Sequence, residues 1–306
     1  MNRPVSPPAS NYLNLMHESA CGRVHPMGVV STIPGTLNFN LAPHYRIKGE
    51  VCGFASACAS TAHAIGYACD DIRRGRQQRI LIVGAEDLSY ESTYSFQGMR
   101  ALSRNPDPAT ASRPFDRDRD GFVGTGGAAA LLLEEAASAQ ARGAPIYGEV
   151  LGWGQSSDGY NMAIAEPDGR GLADAIRRAL ADAGIAPGDV GYINAHATST
   201  PNGDLSEIRA IKSVFTSAGL NPAISSTKAL TGHALSMASA LETGFCALAL
   251  RDGFTPGQAH LVNPDPECEG LNLPRQTLPS APDIILKNSC GFGGSNVSLV
   301  LRRWRG

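Results

Sequence analysis

One cysteine stands in a setting that suits a nucleophile. Cys58 lies between a predicted apolar strand, Glu50 to Ala55, and a predicted small-residue helix that runs to about Arg74, with Gly75 as its stop. A thiol at a helix start meets backbone N–H groups and the positive end of the helix dipole, and both favour the thiolate. A buried structural cysteine is the commoner alternative, so this segment alone favours a nucleophile only slightly.

Three later segments carry further polar residues at the ends of predicted strands. His196 ends one strand, where α/β sheets place their ligands. Lys228 follows another strand, His233 is predicted to open a helix, and Glu242 lies nine residues further on. The glycine-rich turn in 288–296 offers backbone N–H groups. Each histidine alone would suit a helix cap or a core position, but packing is a poor explanation for three such segments.

The elements that would position these residues form a repeat. From Ile146 onward the predicted order is βαβαβαββ, and from Glu50 to Glu134 it is βαββ, which matches the last four elements of the second half. Two buried strands are predicted at 79–85 and 127–134, and the first of them is of the parallel-sheet type. Further strands are predicted at 146–155, 191–195, 223–226, 283–289 and 296–301. Further helices are predicted at 136–142, 172–184, 205–217 and 234–251.

We therefore expect an α/β fold with two pseudo-repeated halves, residues 1–145 and 146–306, that form layered sheets and helices. The first half is incomplete, because no opening βαβα pattern precedes the cysteine. The first 25 residues are expected to be a loose lead-in.

The composition of the chain argues against several classes of protein. Hydrophobic residues make up 42% of the 306 residues and charged residues 18%, as in a globular protein. The net charge of −2 provides no broad field for nucleic acid. The sequence has no apolar run long enough for a membrane span and no signal-peptide core. Seven cysteines without a C-x-x-C pair favour a reducing cytoplasm over a disulfide framework or zinc site.

Taken together, the motifs resemble those of the β-ketoacyl-ACP synthases, of the elongating, decarboxylating type with a thiolase fold. The resemblance covers the chain from about Met27 to its C-terminus, in the right order. It rests on four motifs: Ser-Ala-Cys-Ala-Ser around Cys58, His-Ala-Thr-Ser-Thr-Pro from His196, Ser-Thr-Lys-x-x-Thr-Gly-His ending at His233, and the Gly-Phe-Gly-Gly turn at 291–294. The segments at residues 113–122 and 143–147 also resemble sequences typical of the family.

The resemblance implies a role for each of these residues. Cys58 would take an acyl chain from acyl carrier protein and condense it with malonyl-carrier, in fatty-acid or polyketide synthesis. His196 and His233 would stabilise the enolate that decarboxylation forms, with Lys228 and Glu242 behind them. The amides of Cys58 and Phe292 would form the oxyanion site. Phe292 and Gly293 would form the gate, and Phe96 would form a wall of the acyl pocket. Thr198 and Thr200 would contact pantetheine.

No metal or redox cofactor is implied, since the substrates are carried on the phosphopantetheine of acyl carrier protein. A cytoplasmic homodimer is expected from the resemblance only.

The sequence also departs from the family pattern. Ala197 replaces a usual glycine, Cys290 stands where an aromatic residue is common, and Met237 lies in a helix of small residues. The missing opening βαβα is the largest departure, and without it neighbouring strands would expose unpaired edges. We expect a truncated or mis-started synthase, with poor solubility or dependence on another chain.

Three other functions remain as alternatives. A catalytically silent partner of the chain-length-factor kind would typically lack Cys58, although the short first half favours it. A non-decarboxylating thiolase or an initiating synthase would replace one histidine, and a Cys–His hydrolase is weaker still.

Three smaller patterns suggest functional sites but are better explained as structural features. The Asp-x-Asp-x-Asp-Gly run at 116–121 mimics a calcium loop but has Gly127 at its twelfth position, so it is expected to be a charged structural loop. The Gly-rich run at 124–127 precedes a strand, unlike a dinucleotide site. His63 is expected to pack or form hydrogen bonds within its helix.

Overall fold

The computed structural model describes residues 27, 28, 30, 33, 35–280 and 282–306. The expected lead-in of 25 residues lies outside that part of the chain. The described residues divide into two compact units at the Ala55–Ser56 bond.

The described part of the first unit includes the helix α1 (Thr36–Tyr45), which ends at Arg46 in the left-handed conformation. The strand predicted from Glu50 to Ala55 is wrong, because these residues have no regular secondary structure. A strand needs a neighbour to share its backbone hydrogen bonds, and this segment pairs with no other strand in the described ranges.

The second unit alternates strands and helices. Its helices are α2 (Ser60–Arg73), α3 (Tyr90–Gly98), α4 (Ala136–Ala141), α5 (Arg170–Ala183), α6 (Pro201–Val214), α7 (Lys228–Thr231) and α8 (Ala238–Asp252). Its strands are β1 (Arg79–Glu86), β2 (Gly127–Glu134), β3 (Glu149–Ser157), β4 (Tyr192–Asn194), β5 (Ala223–Ser225), β6 (Ile284–Gly291) and β7 (Ser295–Arg302).

The second predicted half folds as expected. From β3 onward the strands and main helices follow the order βαβαβαββ, with the short α7 as an addition. They form a five-stranded sheet in the order β3-β7-β6-β4-β5. Strand β4 is parallel to both of its neighbours, whereas β7 is antiparallel to β6 and β3. Parallel pairing brings the ends of β4, β5 and β6 to one edge, where the polar segments follow.

The strands of the first half depart from the prediction. Strands β1 and β2 exist, but they pair antiparallel as a separate two-stranded sheet, with Arg79 opposite Glu134. They are not fully buried either, since Leu81 is 38% and Leu132 51% exposed. An apolar run fits a strand buried on both faces, but it does not specify how many neighbours that strand finds.

Helix α2 packs between the two sheets. Its residues Ala62 and Ile65 share a core cluster with Ile82 of β1 and with Trp153 and Val297 of the larger sheet. The approach is so close that a Cβ on Gly66 would lie 2.2 Å from the Trp153 ring. This packing fixes the helix that follows Cys58, which ends at Arg73 as predicted.

In the described part of the chain, no helix combines the length and apolar character that a membrane crossing requires.

Candidate active site

A strained turn presents Cys58 ahead of α2. Ala57 has a positive φ of 49°, which costs a non-glycine residue on the order of 1–2 kcal/mol. The Ser60 hydroxyl stabilises the turn, because it accepts from the Ser56 amide at 2.9 Å and donates to the Ala57 carbonyl at 2.7 Å. The structure places Cys58 two residues before the helix, whereas the sequence predicted it at the helix start.

His63 anchors this turn from inside the helix, as predicted. Its Nδ1 lies 2.8 Å from the Ser56 hydroxyl, and its Nε2 lies 2.9 Å from the Gln155 amide oxygen. Both ring nitrogens are therefore engaged away from the thiol of Cys58.

The predicted thiolate is wrong for the resting site. Protein atoms surround the Cys58 thiol, and this burial raises its pKa to about 11 although the positive charge of Lys228 lowers it. The desolvation cost of an anion thus exceeds the benefit of the helix start. Cys58 is a thiol that needs a proton acceptor.

The position of His233 makes it the proton acceptor for this thiol. Its Nε2 lies 3.1 Å from the Cys58 sulfur, and the His196 ring stands edge-on to it with ring centres 5.3 Å apart. Burial, followed by the positive charge of Lys228, lowers the pKa of both histidines well below 6.5. Both are neutral at pH 7, so each can accept or donate one hydrogen bond.

His233 does not open a helix, contrary to the prediction. Gly232, with φ 70° and ψ −173°, ends α7, and a single 3₁₀ turn at 235–237 separates His233 from α8. His233 is instead held by a one-residue bridge, in which its amide donates to Val123 O at 2.7 Å and its carbonyl accepts from Thr125 at 3.1 Å.

The His196 loop rests on a buried carboxylate that sequence reasoning missed. Glu207 of α6 accepts from the amides of His196 and Ala197 at 2.9 and 2.7 Å, and from the Asn288 side chain at 3.0 Å. Burial raises the pKa of Glu207 while these donors lower it. Glu207 lies four residues before Ile211, and this helical spacing, which puts the two residues on one face, was the available signal.

The threonines predicted to bind pantetheine lie next along the same loop. The hydroxyls of Thr198 and Thr200 are 3.0 Å apart. Asp204 fixes their backbone by accepting from the Thr198 amide at 2.9 Å, and Arg119 lies 3.6 Å from its carboxylate.

A buried ion cluster lies beneath the two histidines. Lys228 contacts one oxygen of Glu242, and the other oxygen lies 2.9 Å from the Lys287 ammonium group. All three side chains are at most 2% exposed. Sequence reasoning missed Lys287, although a lysine within the apolar run Ile284–Leu286 of a central strand was a visible signal.

Three aromatic rings form a group that reaches His233. Phe96 and Phe292, the predicted pocket wall and gate, have ring centres 6.2 Å apart, and Phe292 is 40% exposed. Phe122, not proposed from sequence as a site residue, stands edge-on to both Phe96 and His233. Gly293 has a φ of 80°, and its amide donates to Met162 O at 2.7 Å.

The calcium-like run is a structural loop. The Asp116 carboxylate accepts from the amides of Val262 and Asn263 at 2.9 and 2.7 Å, and Arg119 contacts Asp265 at 2.7 Å. Within the described ranges, His, Cys, Asp and Glu form no group of three suited to a metal ion.

Gly291 at the end of β6 allows the nucleophile turn to approach. A Cβ there would lie 2.6 Å from Ser56 O and 3.2 Å from the Cys58 amide nitrogen. We expect Gly291→Ala to displace the turn, slow acylation of Cys58 by roughly 10-fold or more and destabilise the fold by about 1–3 kcal/mol. Gly188→Ala is the control, since its nearest neighbour is 3.7 Å away. Equal acylation rates for the two variants would refute this role of Gly291.

Comparisons with known proteins identify the family of this chain. The N-terminal domain model of the beta-ketoacyl synthases matches residues 9–139, and the C-terminal domain model matches residues 147–262. The chain is 42% identical over 282 residues to 3-oxoacyl-[acyl-carrier-protein] synthase 2 of Synechocystis, covering 92% of this chain and 67% of that protein.

Two solved structures resemble the fold. A beta-ketoacyl synthase from Burkholderia phymatum superposes with a TM-score of 0.92 at 34% identity, over 99% of this chain and 73% of its own. The ishigamide ketosynthase/chain length factor gives a TM-score of 0.86 at 33% identity, over 96% and 72%. The expected thiolase-like α/β fold is confirmed. The chain therefore belongs to the beta-ketoacyl synthase family and is a condensing acyltransferase.

Proposed function

We propose that Cys58 carries the acyl chain in a decarboxylating, elongating condensation between acyl- and malonyl-acyl carrier protein. The observation that supports this most is the 3.1 Å contact of the Cys58 sulfur with His233 Nε2, beside the second histidine. A thiol of raised pKa next to a neutral imidazole is a nucleophile with its base in place.

In the loading step, the Cys58 sulfur attacks the thioester carbonyl of the acyl-carrier while its proton passes to His233 Nε2. A carbon–sulfur bond forms to Cys58, and the bond to the pantetheine sulfur breaks. The leaving thiolate then takes the proton from His233. The amides of Cys58 and Phe292 would hold the intermediate oxyanion.

In the condensing step, His233 carries its single proton on Nε2, and His196 and His233 donate hydrogen bonds to the thioester carbonyl of malonyl-carrier. Carbon dioxide leaves, and the bonding electrons form an enolate whose oxygen the two donors stabilise in a site of low water content. The enolate carbon attacks the acyl carbonyl, and the bond to Cys58 breaks. The Cys58 thiolate that is released takes up one proton from solvent, which the overall reaction consumes. No step needs a metal or redox cofactor.

The family resemblance also implies contacts with the substrates. The hydroxyls of Thr198 and Thr200 would bind the pantetheine arm, and Phe96 would contact the acyl chain behind the Phe292–Gly293 gate. We also propose a homodimer and the division into halves at 145/146, on the family resemblance.

A silent partner of the chain-length-factor kind is the second candidate, because the chain is also similar to a ketosynthase/chain length factor structure. The presence of Cys58, both histidines and Lys228 argues against it.

The test is product formation from acyl-carrier and malonyl-carrier, followed by mass spectrometry. Our proposal predicts a β-ketoacyl-carrier two carbons longer than the acyl donor, together with released carbon dioxide. Folded protein that binds both carriers but forms no elongated product would support the silent partner and refute the proposal.

A further inference from the structure

Lys287 is a buried charge that the proposed mechanism does not use. It lies on β6, a central strand of the larger sheet, and is 0% exposed. Its ammonium group contacts Glu242 at 2.9 Å and the Ser289 hydroxyl. A lysine with a fully buried side chain is rare, so its presence beside the site calls for a role.

Strand geometry aims Lys287 toward the nucleophile. Alternate residues of a strand share one face, so Lys287, Ser289 and Gly291 point the same way. Gly291 lies against the Cys58 turn. The Ser289 hydroxyl is 2.7 Å from that of Ser239, which lies 3.5 Å from the Cys58 carbonyl oxygen. A chain of polar contacts thus connects Lys287 to the nucleophile turn.

The charges of the cluster do not cancel. Lys228 and Glu242 alone would form a neutral pair, but Lys287 adds a second cation on the other oxygen of the same carboxylate. Burial lowers the pKa of Lys287, and the contact with Glu242 opposes this by favouring its charged form. Each reactive intermediate of the proposed mechanism is an anion: a thiolate, an enolate or an oxyanion. A net positive charge in a region of low dielectric favours each of them.

We propose that Lys287 is a positioning residue that gives the ion cluster one net positive charge and thereby favours anions at Cys58 and keeps the two histidines neutral. This inference rests on the proposed role of Cys58. In agreement, Lys287 is among the charges that lower the pKa values of His196 and His233.

Several charged groups surround the Cys58–His233 pair, and the single Lys287 variants change only one of them. The titratable and charged groups around it are Glu86 of β1, His196 after β4, Glu207 of α6, Lys228 of α7, Glu242 of α8 and Lys287 of β6.

The experiment follows alkylation of Cys58 by iodoacetamide from pH 6 to 10, with the site confirmed by peptide mass. Loss of a nearby positive charge raises every pKa around it. Lys287→Met should therefore move the whole rate profile to higher pH by roughly half a unit or more. Lys212→Met removes the same charge on α6 and should leave the profile in place.

The double variant Lys287→Met/Glu242→Gln separates charge from structure. It restores a net charge of +1, so its profile should return toward that of the wild type, which a merely structural role of Lys287 does not predict. Lys287→Gln serves as a second neutral variant if the methionine variant does not fold.

A shift no larger than that of Lys212→Met, or one that the double variant does not reverse, would overturn the inference. Because alkylation needs no acyl substrate, this outcome is distinct from failure of the proposed function, which would appear as wild-type protein that forms no condensed product.

Discussion

Malonyl-carrier decarboxylation is expected to fall by about 10²–10³-fold when either His196 or His233 is replaced with alanine, the usual effect of removing one oxyanion donor. Both rings are neutral and stand edge-on to each other beside the thiol. A carbonyl oxygen placed between them would receive a hydrogen bond from each, and that bond strengthens as the enolate forms. Released carbon dioxide, measured without an acyl donor, reports this step alone.

The two histidines should also differ from each other. His233 contacts the Cys58 sulfur, so His233→Ala should slow loading as well, whereas His196→Ala should affect loading less. His44→Ala is the control, because His44 is exposed near the end of α1. A folded His196→Ala variant that decarboxylates malonyl-carrier within threefold of the wild-type rate would exclude His196 as a donor.

The largest expected effect on stability comes from Glu242. Its carboxylate is the shared partner of two buried ammonium groups, so Glu242→Gln would leave two like charges unpaired in the core. Breaking a buried ion pair in this way costs on the order of 3–5 kcal/mol. The free energy of unfolding in urea measures this cost.

An exposed glutamate provides the comparison. Glu267 pairs with Arg209 at the surface, where both side chains are more than a third exposed; Glu267→Gln should therefore cost at most about 1 kcal/mol. Adding Lys287→Met to Glu242→Gln should recover part of the lost stability, because one unpaired charge is removed. Equal costs for the two single variants would show that the buried cluster does not hold the site together.

Local patterns predicted much of the second half. Apolar spacing from Leu172 and the stop at Gly184 gave α5 within two residues at its start, and the glycine-rich turn gave the β6–β7 hairpin. These elements depend on nearby residues alone. Strand β1 was correctly located but its burial and partner were wrong, because an apolar run does not record which strand lies beside it.

In the candidate site, too, the sequence predicted the features that depend on local motifs and missed those that depend on packing. Cys58, His196, His233 and Lys228 were proposed from motifs, and the structure brings Cys58 and His233 into contact. The raised pKa of Cys58 was missed because desolvation depends on packing around the thiol, whereas a helix dipole can be inferred locally. Lys287 was missed because its partner, Glu242, lies on a different element and only the fold joins them.

The most direct test of the central claim, that Cys58 carries the acyl chain, is the intact mass of the folded protein after incubation with acyl-carrier. Our account predicts one acyl adduct on the wild type and none on Cys58→Ala. An adduct that persists in Cys58→Ala, or no adduct on folded wild-type protein, would contradict it.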